Sequence, residues 1–367
     1  MPARFILILL LLSLLLFAYP VWRVGTWIEL PLWLNILFTA SAFLSQFIAR
    51  VLMRNRQGKW VYACRGGADF FLGLIPVLLL GVLLGELGIG LLGWPARPVG
   101  LGVLLITGAV GVWGLAKAWT PDVVEVQLRS DKLSRPLRFV QISDVHIGSR
   151  TSRFLNHIMD LVNAQQADFL CITGDFIDQP DIGVDKLSPL KEFQGPIYYC
   201  IGNHERYEDL DKIIVRLRSL GIEVLRNRAV EAGELQIIGI DDHQSSKQVG
   251  RVLPTIDVRQ DLYSILLYHR PQGLTDAAEH GIDLKLSGHT HAGQIVPFHL
   301  AVNKVFEYRK GLYRHDNTYL YVNEGTGTWG PTMRLGTRSE ITLFEISPVQ
   351  NEIERRTAKA TTPATAI

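Results

Sequence analysis

Four uncharged apolar runs, residues 5–22, 30–49, 70–85 and 98–116, crowd into the first 120 residues of this 367-residue chain, the third continuing apolar past Glu86. Each approaches the ~20 residues needed to cross the hydrocarbon of a bilayer. A helix buried in a soluble core would keep a polar stripe at a 3.6-residue period, whereas residues 7–16 are apolar on every side except at Ser13. The runs are read as four membrane spans. A signal peptide competes for the first run, since Arg4 precedes it. The residues around Ala18, Tyr19 and Pro20 lack a small-x-small cleavage pattern, so an uncleaved first helix is favoured.

Charge separates this segment from the rest. The first 120 residues carry nine Lys/Arg against three Asp/Glu, a net of +6, with seven of the eight Trp and no His. The remaining 247 carry 28 basic and 32 acidic residues, a net of −4, and all ten His. Nucleic-acid binding is not expected, because the positive part is apolar and the polar part is acidic. Arg50, Arg54, Arg56, Lys59 and Arg65 lie between the second and third runs, opposed by Asp69 alone. The positive-inside rule puts that loop in the cytoplasm, so the chain leaves the fourth run on the cytoplasmic side of a cell (inner) membrane. Lys117, Arg129, Lys132, Arg135 and Arg138 agree. Trp22, Trp27, Trp33, Trp60, Trp94, Trp113 and Trp119 sit near run ends as interfacial anchors. Glu86 is expected near the headgroups or facing a neighbouring helix. Gly81, Gly85, Gly108, Gly111 and Gly114 are expected to permit close helix packing.

After Pro121 the pattern changes to short β-rich runs alternating with amphipathic segments. Strands are predicted at 137–142, 168–173, 197–201, 235–240, 264–267, 284–286, 318–322 and 341–346, and helices at 153–165 and 210–220. The order implies one α/β domain with layered sheets. The expected organisation is a membrane region at 1–120, a catalytic domain at 121–347 and a disordered tail at 348–367.

Five predicted strands end in polar clusters: Ser143-Asp144-Val145-His146, Gly174-Asp175-Phe176-Ile177-Asp178, Gly202-Asn203-His204-Glu205, Tyr268-His269, and Ser287-Gly288-His289-Thr290-His291. In an open α/β sheet the carboxyl edge is where ligands bind. Gly174, Gly202 and Gly288 each precede a candidate ligand and allow a sharp exit or close backbone approach. A nucleophilic triad needs one Ser or Cys beside one base, which this set does not offer. Six or seven His, Asp and Asn donors suit divalent Mn, Fe or Zn, in a number fit for two ions sharing one carboxylate. Two such ions ~3.5–4 Å apart can hold a hydroxide and clamp both oxygens of an in-line phosphoryl transfer.

These blocks resemble the ordered signature of the calcineurin-like metallophosphoesterases: Asp-x-His, Gly-Asp-x-x-Asp, Gly-Asn-His-Glu, a lone His, and Gly-His-x-His. The resemblance runs from about Arg138 to Ile346, and the segment 288–294, Gly-His-Thr-His-Ala-Gly-Gln, is similar to a membrane-associated bacterial branch, with Ala292 a departure of one methyl. It implies a four-layer αββα sandwich. It further implies that Asp144, His146, Asp175 and His291 hold one divalent metal, and that Asp175 bridges to a second held with Asn203, His269 and His289. By the same resemblance His204 faces the phosphate and protonates the leaving oxygen, while Asp178 and Glu205 orient the groups in contact with metal and substrate.

The other histidines, His157, His243, His280, His299 and His315, are read as surface or loop residues. His243, beside Asp241 and Asp242, is the one that competes for the substrate cleft. Arg334 in the Gly-rich stretch 325–336 is read either as a bidentate phosphate or headgroup contact or as a surface ion pair. Cys64, Cys171 and Cys200 are expected as reduced thiols, the last two in core strands. The expected function is a membrane-embedded dinuclear-metal phosphoesterase that cleaves a phosphodiester, pyrophosphate or phosphomonoester. A lipid-linked substrate is favoured, because four spans exceed what an anchor needs and similar members include UDP-2,3-diacylglucosamine pyrophosphatases and phospholipid-cleaving enzymes. The alternatives are a soluble nucleotide or phosphoprotein substrate, with the helices as anchor only, and a non-catalytic membrane scaffold or sensor.

Overall fold

In lipid every backbone N–H and C=O must be paired within its own segment, so an unbroken apolar run folds as helix. In the computed structural model, which describes residues 3–53, 58–179 and 181–349, four helices are long and apolar enough to cross a membrane: Leu10–Trp27, Leu32–Leu52, Trp60–Leu92 and Ala96–Trp119. Arg54 and Arg56 of the basic loop, and the predicted tail beyond Val349, lie outside the described residues. Glu86 faces a neighbouring helix: its carboxylate pairs with the Arg23 guanidinium and accepts the Tyr19 hydroxyl at 3.1 Å. Gly81, Gly85, Gly111 and Gly114 do permit close packing, since a Cβ at each would press on Val103, Trp27, Leu74 or Met333. Gly108 does not, because a Cβ there meets nothing within 4 Å.

The helical unit also takes in two later segments, residues 293–300 and 328–338. Ile295, Met333 and Leu335 form a small core with Phe70, Leu74 and Val110, and the Arg334 N–H donates to the Gly114 carbonyl at 3.0 Å.

The second unit holds twelve strands among the described residues: β1 Asp122–Ser130, β2 Leu137–Ile142, β3 Phe169–Thr173, β4 Ile197–Cys200, β5 Glu223–Val224, β6 Arg228–Ala232, β7 Leu235–Gly239, β8 Tyr263–Leu267, β9 Leu284–Ser287, β10 Gly311–His315, β11 Thr318–Val322 and β12 Glu340–Pro348. They form two six-stranded sheets, ordered β1-β12-β2-β3-β4-β5 and β10-β11-β9-β8-β7-β6. The strands absent from the sequence reading, β1, β5, β6 and β10, are the four sheet edges. Edge strands alternate polar with apolar residues and lack the continuous apolar run of a strand covered on both faces. β3, β4, β7, β8 and β9 are buried at every position.

Side chains alternate across each strand, and successive residues enter different cores. Val140, Leu170 and Tyr199 pack outward against helices Ser152–Asn163 and Leu210–Ser219. Phe139, Cys171 and Tyr198 pack inward with Ile237, Ile265 and Leu284 of the second sheet. On that sheet's far side, Ile238 and Leu266 meet Val249, Leu253 and Ala277. Helix, sheet, sheet and helix make four layers. Cys171 and Cys200 are buried free thiols in the inner layer, and burial pushes both thiol pKa values up.

Candidate metal centre

β2, β3 and β4 are parallel neighbours, as are β8 and β9, so their polar exits fall on common edges. Across the inner layer Gln141 Nε2 donates to the Ser287 carbonyl at 3.0 Å, and His269 Nδ1 lies 2.8 Å from the Thr173 carbonyl. The two sheets therefore deliver their strand ends to one place. Asp144, His146 and His291 bring ligand atoms within 4.8 Å of one another, as do Asp175, His269 and His289. His146 Nε2 faces His291 Nε2 at 3.1 Å, and His269 Nε2 faces His289 Nδ1 at 3.1 Å. Asp144 Oδ1 is 3.3 Å from His291 Nε2, and Asp175 Oδ2 is 3.1 Å from His269 Nε2.

A third cluster, His146, Asp178 and His204, is a hydrogen-bonded relay. Asp178 Oδ1 lies 2.8 Å from His146 Nδ1 and 2.9 Å from His204 Nδ1. One carboxylate thus fixes two imidazoles and leaves His146 Nε2 toward His291. His269 is oriented likewise, its Nδ1–H held by the Thr173 carbonyl. Such outer partners set the tautomer and raise ligand basicity. Glu205 is fully buried and accepts four backbone N–H groups, those of Asp175, Phe176, Ile177 and Gly202, at 2.6–3.1 Å. It splices the loop after β3 to the helix start after β4.

The ligand loops are bent hard. Asp144, His146, Asp175, His289 and His291 all have positive φ, between 46° and 73°. Asp and His tolerate this region better than most residues, but each position stores strain on the order of 1–3 kcal/mol that the surrounding bonds must hold. Gly174, at φ 84°, also has no room for a side chain: a Cβ would lie 2.7 Å from Gly202 and 2.8 Å from His269 Nδ1. At Gly288 a Cβ would strike Ser143 Oγ and Asp144 Oδ2, closer than 3 Å to each. The sequence reading of close approach at these glycines matches the geometry.

Electrostatics follow from crowding. Burial pushes Asp144, Asp175 and Asp178 toward the neutral acid, yet the adjacent imidazoles outweigh it and hold all three well below the usual carboxylate range. Burial lowers His146 and His269, but Asp178 raises the first to about 9 and Asp175 the second to about 10. His289 drops to about 3 through burial and the charges of His269 and Arg270. Desolvation and the charge of Asp175 raise Glu205.

The donor set fits divalent ions. Two pairs of imidazole nitrogens face each other at 3.1 Å, close enough for one cation to take both nitrogens of a pair as ligands. The Asn203 Oδ1 is buried without a partner, an arrangement a folded protein rarely leaves unsatisfied. Asp144, His146, Asp175, Asn203, His269, His289 and His291 are therefore seven candidate donors of the types that divalent cations take.

The remaining candidates are placed as follows. Arg334 is fully buried, its guanidinium Nη1 3.4 Å from Thr337 Oγ1, and it falls with the helical unit rather than on a surface. His243 lines a cavity of about 260 Å³ with Arg206, Arg226, Asp241 and Asp242. Two residues escaped the sequence reading. Arg270 sets Nε 2.6 Å from Asp242 Oδ1 and Nη1 3.2 Å from His289 Nε2, and its signal was its place directly after His269. Lys285, lowered to about 7 by burial, donates to the Arg270 carbonyl at 2.9 Å and ties down that loop. Its signal was a lysine inside an apolar strand.

Residues 137–293 match the family described as Calcineurin-like phosphoesterase. An uncharacterized metallophosphoesterase of Helicobacter pylori is 35% identical over 248 residues, which cover 64% of this chain and 65% of that one. A transmembrane protein with metallophosphoesterase domain from Danio rerio is 34% identical over 268 residues, 65% of this chain and 60% of its own. The uncharacterized metallophosphoesterase YkoQ of Bacillus subtilis is 30% identical over 231 residues, 58% of this chain and 84% of its own. With its ordered metal-ligand blocks and these relatives, the chain belongs to the calcineurin-like metallophosphoesterases. Its four apolar helices are long enough to cross a membrane, and one of these relatives is named a transmembrane protein.

Proposed function

We propose that this chain is a membrane-embedded, two-metal phosphoesterase that hydrolyses a phosphodiester, pyrophosphate or phosphomonoester bond, with a lipid-linked substrate. The observation that carries the reading is the convergence of seven metal-type donors from five strand ends, with an unpartnered buried oxygen on Asn203. Asp144, His146, Asp175 and His291 would hold one ion, and Asn203, His269 and His289, with Asp175, the other. Two divalent ions of the Mn, Fe or Zn type would supply Lewis acidity toward the phosphoryl oxygens and a neutral-pH source of hydroxide.

His204 is the catalytic acid. The Asp178 carboxylate holds its Nδ1–H at 2.9 Å, which directs proton donation to Nε2. Burial lowers the His204 pKa, but the bond to Asp178 and the charge of Asp175 raise it overall. The imidazolium is thus kept available near neutral pH to protonate the leaving oxygen. Asp178 and Glu205 position their neighbours and do not touch substrate.

The lipid-linked substrate is supported by the number of spans, which exceeds that of an anchor, and the cytoplasmic placement by the basic Arg50–Arg65 loop. Purified protein given Mn²⁺ is expected to cleave bis-p-nitrophenyl phosphate and to carry about two metal ions per chain. Absence of turnover with every one of Mn²⁺, Fe²⁺ and Zn²⁺ overturns the enzyme reading in favour of a scaffold. Extracted membrane lipids and soluble nucleotides assayed side by side test the substrate class. Turnover of nucleotides alone reduces the helices to an anchor.

A further inference from the structure

The turn at residues 93–95 joins helices Trp60–Leu92 and Ala96–Trp119, and its exposed Trp94 marks one face of the bilayer. About 20 residues at 1.5 Å each cross ~30 Å of hydrocarbon. Counted from that turn, the opposite boundary falls near Gly73 on one helix and near Leu115 on the other. Arg65, Asp69 and Lys117 all lie beyond it, as charged residues should.

Two segments from far along the chain dock at this level. A Cβ on Gly73 would lie 2.5 Å from Met333 Sδ, and one on Gly114 would lie 2.8 Å from Met333 Cε and 3.0 Å from Leu335 Cδ2. Glycine at both positions is what lets Met333 and Leu335 seat so closely on the two helices. Residues 293–300 and 328–338, which the helical unit takes in, are also held to each other. Gln294 Nε2 donates to the Trp329 and Pro331 carbonyls at 3.0 and 2.7 Å, its Oε1 accepts the Trp329 N–H at 2.9 Å, and the Val296 N–H donates to the Leu335 carbonyl at 3.0 Å. The element is thereby fixed at the hydrocarbon edge.

Its open side is apolar. Val296, Phe298, Leu300 and Trp329 are 45–59% exposed, four large apolar side chains in 19 residues, whereas the described residues of the whole sheet unit expose seven. Scattered exposed apolar residues need no cause, but such a density marks an interaction site. The same 19 residues contain no Asp or Glu, and their charged residues are Arg334 and Arg338. An apolar and basic surface at headgroup depth suits phospholipid rather than water.

We propose that residues 293–300 and 328–338 form a membrane-surface anchor additional to the four spans, with Val296, Phe298, Leu300 and Trp329 inserted among acyl chains at the leaflet boundary marked by Gly73 and Leu115. The occupant of this face is the bilayer that the helices cross, because the element is docked on those helices at the depth where hydrocarbon ends. The anchor does not depend on the phosphoesterase reading.

The test uses the unmodified full chain in lipid nanodiscs that contain a phospholipid with a photoactivatable diazirine on its acyl chain, with adducts mapped by mass spectrometry. Val215, 68% exposed on helix Leu210–Ser219 of the sheet unit, is the water-facing reference, and the exposed Leu83 and Leu105 of the spans are the lipid-facing ones. Val296, Phe298, Leu300 and Trp329 are expected to label about tenfold or more above Val215, since burying one such side chain in hydrocarbon favours it by at least that factor. Spin labels at Phe298→Cys or Leu300→Cys, each in a Cys64→Ser background because Cys171 and Cys200 are buried, are expected to collide more with oxygen than with a water-soluble nickel chelate. Yields at the four residues that match Val215 overturn the anchor and leave the face to a protein partner or a second copy. If Leu83 and Leu105 match Val215 as well, the span reading fails with it.

Discussion

Glu86 in the third span and Asp175 at the end of β3 are both carboxylates removed from bulk water, and their surroundings differ. Glu86 answers one guanidinium and one hydroxyl on a neighbouring helix and stays 30% exposed at its side chain. Asp175 is 3% exposed and stands among His269, His204 and the buried Glu205. In the helical unit this carboxylate is paired off locally. In the sheet unit carboxylates and imidazoles are gathered from five strand ends beyond what they can satisfy among themselves. A buried polar cluster is costly when only partly satisfied, and the excess is what the proposed pair of cations would resolve.

That contrast can be broken most directly at the cluster. Asp175→Asn removes the shared carboxylate, and His204→Ala removes the acid. The first is expected to abolish turnover and lower bound metal, whereas the second lowers kcat by about 10²–10⁴-fold with metal content intact. If His204→Ala keeps wild-type turnover, the general-acid assignment fails. Asp178→Asn, which loosens both His146 and His204, should cost about 10–100-fold in activity or metal affinity. Because the bond to Asp178 helps raise the His204 pKa, the variant should also move the alkaline limb of the kcat profile to lower pH.

Metal uptake tests the charge state of the cluster. Without metal, His146 at about 9 and His269 at about 10 are protonated at neutral pH, while His289 at about 3 is not. Ligating imidazoles must be neutral, so loading at pH 7 should release about two protons, and apparent affinity should rise with pH until both groups have deprotonated. Calorimetric titrations in two buffers of different ionisation enthalpy measure the release. No release at pH 7 breaks the ligand assignment of these two histidines.

Smaller effects sharpen the comparison. Glu205→Gln puts an amide where four N–H donors converge, and each donor left unpaired should cost about 1–3 kcal/mol, read as a lower denaturation midpoint. Glu86→Gln, on the helical side, should cost only about 0.6 kcal/mol and leave turnover unchanged. A Glu86 effect as large as that of Glu205 would erase the distinction between the two regions.

Much of this molecule was legible in the linear chain. β2 and β11 begin and end where the sequence pattern predicts, because strands covered on both faces are rich in apolar and β-branched residues. The edge strands β1, β5, β6 and β10 were not, because half of an edge strand's environment is water and its polar residues look like loop. The motif blocks exposed Asp144, His146, Asp175, Asn203, His204, His269, His289 and His291, since chemistry restricts those residue types at strand ends. Arg270 and Lys285 were missed because an isolated basic residue acquires meaning only from its neighbours. Arg334 shows the same limit: beside glycines it reads as exposed, yet the fold buries it completely.

Composition and periodicity determined by themselves that the first third is helical and bilayer-compatible, that the remainder alternates strand and helix, and which residue types can meet a metal, because these properties are local. The tertiary structure alone decided that Asp178 serves two histidines, that Glu205 fastens two loops, that five candidate ligand positions take positive φ, and that residues 293–300 and 328–338 pack into the helical unit. Each of these depends on groups far apart in sequence that become neighbours only when the two sheets close on a common core, and no local pattern encodes that distance.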